Sequence, residues 1–237
     1  MAEANTQLHR LDGSLIWSGF KALIPISFFV TFFGIAFGLT AKQAGLSDTL
    51  VVSMSALVFS GYAQFALIDL WGPSIPLLPM ILTALAINAR HFLMGATLYP
   101  WLRHHTPAKQ YGVMTVASDA NWALSLNAFN RGQPGLGILL GGGIAIWVFW
   151  TLGTWLGVHF GNAIASPRLL GLDMVMGCFL LAMVMSGQRD RSALIIWTTA
   201  AASSLLAYRY MPANSHVIIG TITGGVAGMF TGRTTDD

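Results

Sequence analysis

Stretches of about twenty uncharged, mostly apolar residues recur along this chain, and that length is what an α-helix needs to cross the hydrocarbon of a bilayer. The clearest are Ala22 to Ala41, Thr49 to Ile68, Gly135 to Val158 and Ala213 to Gly232. Others follow the same pattern less cleanly: Ser74 to Trp101, interrupted by Arg90 and His91; Leu169 to Gly187, with Asp173 near its start; and the short Ser192 to Tyr208. A soluble surface cannot be built around them. Soluble domains carry roughly a quarter of their residues as Asp, Glu, Lys and Arg, whereas here 9% are charged and 54% hydrophobic.

The expected fold is therefore an all-α polytopic integral membrane protein with about seven transmembrane helices. A polar N-terminal segment, 1–18, precedes a single transmembrane domain, 19–232, and a short tail, 233–237. Because the segment 1–18 is polar and the apolar run after it exceeds a secretory h-region, it reads as leading into a retained first span. The polar connector, about 102–134, holds Arg103, His104, His105, Lys109, Asp119 and Arg131. Within it, Gly112 to Phe129 reads as one amphipathic or partly inserted helix.

Positive charge marks the cytoplasmic side, so this connector and the loop Gln188 to Arg191 face inward. Counting back through three spans places the N-terminus outside, against the weak signal of Arg10 and Lys21. Gly34-xxx-Gly38 is echoed by Gly153-xxx-Gly157, a pattern compatible with 3+3 inverted repeats plus one extra helix. Trp71, Tyr99, Trp101, Tyr208 and Tyr210 lie at span ends as interfacial anchors. The basic balance, a formal net charge of +3, is scattered over connectors and argues for orientation in a membrane, not for nucleic acid.

Small residues at every fourth position recur as Gly137, Gly141 and Ala145, as Gly153, Gly157 and Gly161, and as Gly220, Gly224 and Gly228. Such faces pack helices closely in lipid, either within the chain or against a separate small membrane subunit. Polar groups at membrane depth are the functional candidates, since a charge there is costly unless paired or hydrated. Asn88, Arg90 and His91 form a solute-facing or coupling cluster, with Arg90 as anion clamp and His91 as a titratable group; alternatively they lie at an interface and snorkel. Gly61 permits local unwinding, and Gln64 can bond a ligand or a neighbouring helix. Pro25, Gly34 and Gly38 are candidate breaks in the first span, freeing backbone groups to face a cavity. Asp69 and Asp173 read as interfacial, and Asp119, His159 and the His104–His105 pair as loop or interface residues. The single Cys178 excludes a disulfide framework within one chain and reads as a small buried hydrophobe.

No nucleophile elbow, H-E-x-x-H helix, Walker A loop or C-x-x-C pair occurs. No enzyme class, cofactor or metal site is indicated, and transport of a small solute is the leading reading. A channel, a transporter for a different solute, an integral membrane enzyme and an assembly subunit are the alternatives.

Four blocks, in order, carry a resemblance: G-I-A-F-G from Gly34 to Gly38, S-A-L-V-F-S-G-Y-A-Q from Ser55 to Gln64, N-A-R-H-F-L-M-G from Asn88 to Gly95, and S-D-A-N-W-A from Ser118 to Ala123. Together they resemble the AzlC/YgaZ family, the large subunit of branched-chain amino acid exporters. The resemblance implies a secondary transporter in the bacterial inner membrane that exports valine, leucine, isoleucine or methionine. It further implies coupling to the proton gradient and a small AzlD/YgaH-type membrane partner. It directs attention to Gly34, Gly38, Gly61, Gln64, Asn88, Arg90, His91 and Asp119 as substrate-binding or coupling residues. The chain departs from the family in having Asp119-Ala120 where an Asp-Glu pair is usual, and Ser60-Gly61 where alanine-glycine is frequent.

Overall fold

The computed structural model describes residues 10–160, 191–211 and 215–231. The expected span Leu169 to Gly187, together with Gly161, Asp173, Cys178 and most of the loop before Arg191, lies outside them. The described residues are all-helical: α1 (Gly13–Gln43), α2 (Asp48–Val58), α3 (Gly61–Asp69), α4 (Leu77–Asn88), α5 (Arg90–Leu102), α6 (Pro107–Met114), α7 (Asp119–Asn130), α8 (Leu136–Phe160), α9 (Arg191–Tyr210) and α10 (Ser215–Thr231). Among them, Gly13–Gln43, Leu77–Leu102 and Leu136–Phe160 are long and apolar enough to cross a membrane, and Asp48–Val58 and Ile219–Thr231 are shorter apolar helices. The chain divides into two compact units, residues 1–68 with 88–172, and residues 69–87 with 173–237.

The first unit is organised around α1 and α8. Asp12 caps α1 by accepting from the Leu15 N–H at 3.0 Å, so the helix begins before the purely apolar run and continues unbroken through Pro25, Gly34 and Gly38. The expected breaks in this span do not occur. Its glycines instead meet α8 backbone to backbone: a Cβ at Gly34 would stand 2.5 Å from the Trp150 carbonyl oxygen, and one at Gly38 would collide with that of Thr154. From the other side, a Cβ at Gly137, Gly141, Gly153 or Gly157 would strike the backbone at Leu15, Ile16, Thr31 or Ile35. Contact therefore persists from Leu15 to Ile35, about 30 Å of helix, roughly the hydrocarbon thickness of a bilayer.

Those pairs advance in the same direction along both helices, so α1 and α8 are parallel. Inverted repeats beginning with these two spans would set them antiparallel, so the glycine echo is the two sides of one interface. The same geometry overturns the count of three crossings between the N-terminus and the 102–134 connector, because parallel helices start on the same side.

The fold-back of α2 and α3, the first of two short hairpins, accounts for the difference. The stretch Thr49 to Ile68 is not one span: α2 ends at Phe59, which adopts the left-handed conformation (φ 44°, ψ 47°), and α3 starts at Gly61. Gln64 Nε2 then donates to Ser55 Oγ at 3.2 Å, although nine residues along a straight helix would separate them by about 13 Å. The chain has folded back. Measured along α8, α2 starts beside Val158, where Lys42 bonds both Asp48 and the Val158 carbonyl, and its last turn lies beside Trp147, whose Nε1 donates to the Ala56 carbonyl at 2.8 Å.

The connector forms the second hairpin. The single helix expected over Gly112 to Phe129 is instead interrupted after Met114 and restarts at Asp119 under a Ser118–Asn121 capping box. This hairpin runs beside α5: Met114 lies against Gly95, Trp122 Nε1 donates to Thr97 at 2.9 Å, and Trp101 stacks on Phe129 with centroids 4.3 Å apart. Its turn sits against Gly143 and its base against Gly135. The two hairpins thus approach from opposite ends of α8, and residues next to their turns, Phe59 and Ala120, pack on one apolar cluster of Leu23, Ala145 and Ile146.

In the second unit, α9 and α10 form an antiparallel pair. Gly220 and Gly224 face Ser204 and Ala200, with a Cβ at either only 3.0 Å from its neighbour, and Ser203 and Thr223 share a hydroxyl hydrogen bond at 2.5 Å. The described glycine faces are all used within the chain.

Candidate functional site

Three of the four sequence blocks, those holding Ser60, Asn88 and Asp119, converge where the hairpin turns meet. Breaking the chain at Phe59–Ser60 brings Ser60 to Asn88, and Ser60 Oγ donates to Asn88 Oδ1 at 2.7 Å. At Ala89 the helical ladder tightens, because the Phe92 N–H bonds Ala89 O in place of Asn88 O. The Asn88 carbonyl oxygen faces His91 Nδ1 at 3.1 Å instead, and the other ring nitrogen, Nε2, lies 3.3 Å from the Ala117 carbonyl in the second turn. His91 therefore ties the α4–α5 junction to the α6–α7 turn, and a neutral imidazole can donate to only one of those oxygens.

Arg90 pairs with Asp119 in the first turn of α7, Nη1 to Oδ2 at 2.7 Å. An i, i+3 pattern sets Arg90 on a different helical face from Asn88 and His91, yet Arg90 and His91 reach the same α6–α7 turn, at Asp119 and Ala117. Tyr62 of α3 covers the guanidinium, whose carbon lies 4.2 Å from the ring centroid, a cation–π contact that shields it from water. Arg90 Nε is buried without a hydrogen-bond partner. The pair is the least exposed of those among the described residues, with Asp119 only 17% exposed.

Beside it lies an uncharged network. Gln64 and Ser55 are fully buried; Ser55 Oγ shares a hydrogen bond with Thr154 Oγ1 at 2.8 Å and accepts from Gln64. Gln64 Oε1 and Trp150 Nε1 are buried with no partner. Leaving such atoms unsatisfied costs roughly 1–3 kcal/mol each, so the place holds unspent acceptor and donor capacity. Gly34 and Gly38 act on it indirectly, by letting α1 approach α8 beside Trp150 and Thr154. Gly61 gives room to the Trp150 ring, 2.9 Å from where its Cβ would be.

The structure thus brings Gly61, Gln64, Asn88, Arg90, His91 and Asp119 to one region and leaves Gly34 and Gly38 as packing positions. Sequence reasoning passed over Tyr62, Thr154 and Asn121. Tyr62 stands within the F-x-G-x-x-Q block, but its use depends on the fold-back. Asn121, fully buried, donates to the Val116 and Leu139 carbonyls and fixes the α7 start on α8. Among the described residues no group of three or more His, Cys, Asp and Glu is placed to hold a metal ion.

Two features suit an anionic group here. The N-termini of α3 and α7 carry partial positive charge, and Arg90 has an N–H to spare. Asp119 offers the complementary acceptor for a cationic group.

Comparison with known proteins places this region inside a family match. The family model described as AzlC protein matches residues 25–164, more than half of the 237-residue chain. A protein of Archaeoglobus fulgidus named as an uncharacterized membrane protein is 31% identical over 148 residues, which is 62% of this chain and 60% of that protein. The branched-chain amino acid transport protein AzlC of Bacillus subtilis is 27% identical over 174 residues, 71% of this chain and 67% of that one. No solved structure matches the chain.

Proposed function

Because the chain belongs to the AzlC family, we propose that it is the large subunit of a secondary transporter exporting branched-chain and other hydrophobic amino acids, among them valine, leucine, isoleucine and methionine. In this reading it resides in the bacterial inner membrane, works with a small AzlD/YgaH-type membrane subunit and draws on the proton gradient. The name of the Bacillus subtilis relative supports the substrate class.

The observation that carries the reading is the meeting of two opposed half-length hairpins at a buried polar site. Irregular backbone at membrane depth is tolerated where it lines a cavity or is buried in protein, and secondary transporters place solute sites at such discontinuous helices. A zwitterion there needs donors for its carboxylate, acceptors for its ammonium and an apolar wall for its side chain. Arg90 with the α3 and α7 N-termini supplies donors, Asp119 and Gln64 Oε1 supply acceptors, and the Leu23–Ala145–Ile146 cluster with Phe59 supplies the wall. Asn88 holds Ser60 and orients the turn; His91 or Asp119 answers to protons.

The test is uptake of labelled leucine into inside-out vesicles with and without the small subunit. Proton-driven accumulation that collapses on adding an uncoupler is expected, with rates falling at least tenfold in Arg90→Ala and in Gln64→Ala at equal protein level. Unchanged rates in both variants would remove the site from the transport path.

A further inference from the structure

We infer that the Arg90–Asp119 ion pair is opened by the substrate, an α-amino acid whose carboxylate takes Arg90 and whose ammonium takes Asp119, so that a proton on Asp119 competes with the amino acid. This rests on the transport reading above and specifies its recognition and its coupling.

The pair is built to exchange. Arg90 meets Asp119 through Nη1 to Oδ2, while Nε stays buried and unpartnered; an incoming carboxylate can bridge Nε and an Nη in the bidentate arrangement guanidinium favours. In the ion pair each charge neutralises the other, and the zwitterion replaces each partner with a group of the same sign. Both charges therefore remain paired when the pair opens, which a molecule bearing one charge cannot achieve. Tyr62 lies against the guanidinium, its ring centroid 4.2 Å from the central carbon.

The sign of coupling follows. Ammonium binding requires ionised Asp119, and a protonated carboxyl is a poor partner, so proton and substrate occupy the site alternately. That is the logic of exchange, amino acid outward against proton inward. Other titratable groups at the pair among the described residues are Tyr62 on α3 and His91 on α5. The facing stretches of α1 and α8, 23–41 and 136–158, contain no ionisable side chain.

The experiment uses the full chain with its small subunit in liposomes, reading exchange of labelled leucine against unlabelled competitors. Leucinamide lacks the carboxylate and N-acetyl-leucine the ammonium; each should compete at least tenfold more weakly than leucine, and leucine should lose affinity as pH falls. In Asp119→Asn the pH dependence should vanish, and N-acetyl-leucine should gain at least tenfold relative to leucine, a change that damaged packing alone would not produce. Equal competition by both analogues against a wild-type protein that exchanges leucine overturns the ion-pair inference and leaves transport standing. Folded wild-type complex that exchanges no leucine overturns the transport reading itself. If Asp119→Asn does not fold, the wild-type analogue and pH series decides alone: selective competition with a falling acid limb supports the inference, and its absence refutes it.

Discussion

Arg90 and Asp119 show how much a single residue's partner decides. Removing one member strands a part-buried charge, so Arg90→Ala should destabilise the protein by about 3 kcal/mol. The double variant Arg90→Ala/Asp119→Ala should lose less than that single change, a ranking readable from unfolding of purified protein in detergent. Gln64 makes the opposite case. Its Oε1 has no partner, and Ser55 keeps Thr154 if the amide is removed, so Gln64→Met should change stability by no more than about 1.5 kcal/mol while abolishing transport. Arg90 and Gln64 were legible as polar groups in apolar runs, and Asp119 as a member of the polar connector. Their partnerships were not, since Arg90 and Asp119 lie on separate elements and meet only after the connector turns back.

Among the elements, α1 and α8 depend on glycine at their closest backbone contacts. Gly141 has no room for even a methyl group against Ile16, nor Gly153 against Thr31; Gly141→Leu or Gly153→Val should prevent accumulation of folded protein. Gly225 has nothing within 4 Å of a Cβ, and Gly225→Ala should be neutral or stabilising by up to about 1 kcal/mol. Fluorescence size-exclusion profiles of tagged variants distinguish these outcomes. The repeating small residues announced close packing in the sequence, and left open which helices pair and in which direction. The α2–α3 hairpin was less legible still. An apolar run of spanning length reads as a span by hydropathy, but the left-handed backbone at Phe59, costing roughly 1–2 kcal/mol, is sustained by the ring's packing near Leu23. Only tertiary contact can hold it there.

At the scale of the molecule, parallel α1 and α8 make a topological statement. Ser14, in the first turn of α1, and Gln133, just before α8, are both exposed, and Gln43 and His159 lie at the far ends of these helices. In a Cys178→Ser background, Ser14→Cys and Gln133→Cys should react with an impermeant thiol reagent from the same side of the membrane, and Gln43→Cys and His159→Cys from the other. If the 102–134 connector is cytoplasmic by its positive charge, the N-terminus is cytoplasmic too, and Arg10 and Lys21 then agree with the positive-inside rule. Labelling Ser14→Cys and Gln133→Cys from opposite sides would refute the parallel arrangement. The large apolar side chains left exposed, such as Phe29, Leu77, Phe92 and Leu205, suit lipid or a membrane partner.

By itself the sequence determined that this protein belongs in a membrane and is helical, and its four ordered blocks of polar and small residues carried the family resemblance. Length and hydropathy suffice for that, because the bilayer core leaves helices as the economical way to satisfy the backbone of such runs. Only the tertiary structure decided that α1 runs parallel to α8, that two apparent continuous elements are fold-back hairpins, and that Arg90 faces Asp119 under Tyr62. The physical reason is common to all of these. Lipid and a glycine-lined helix are equally apolar surroundings, so hydropathy records the burial of a run without recording its partner, its direction or the point where it turns.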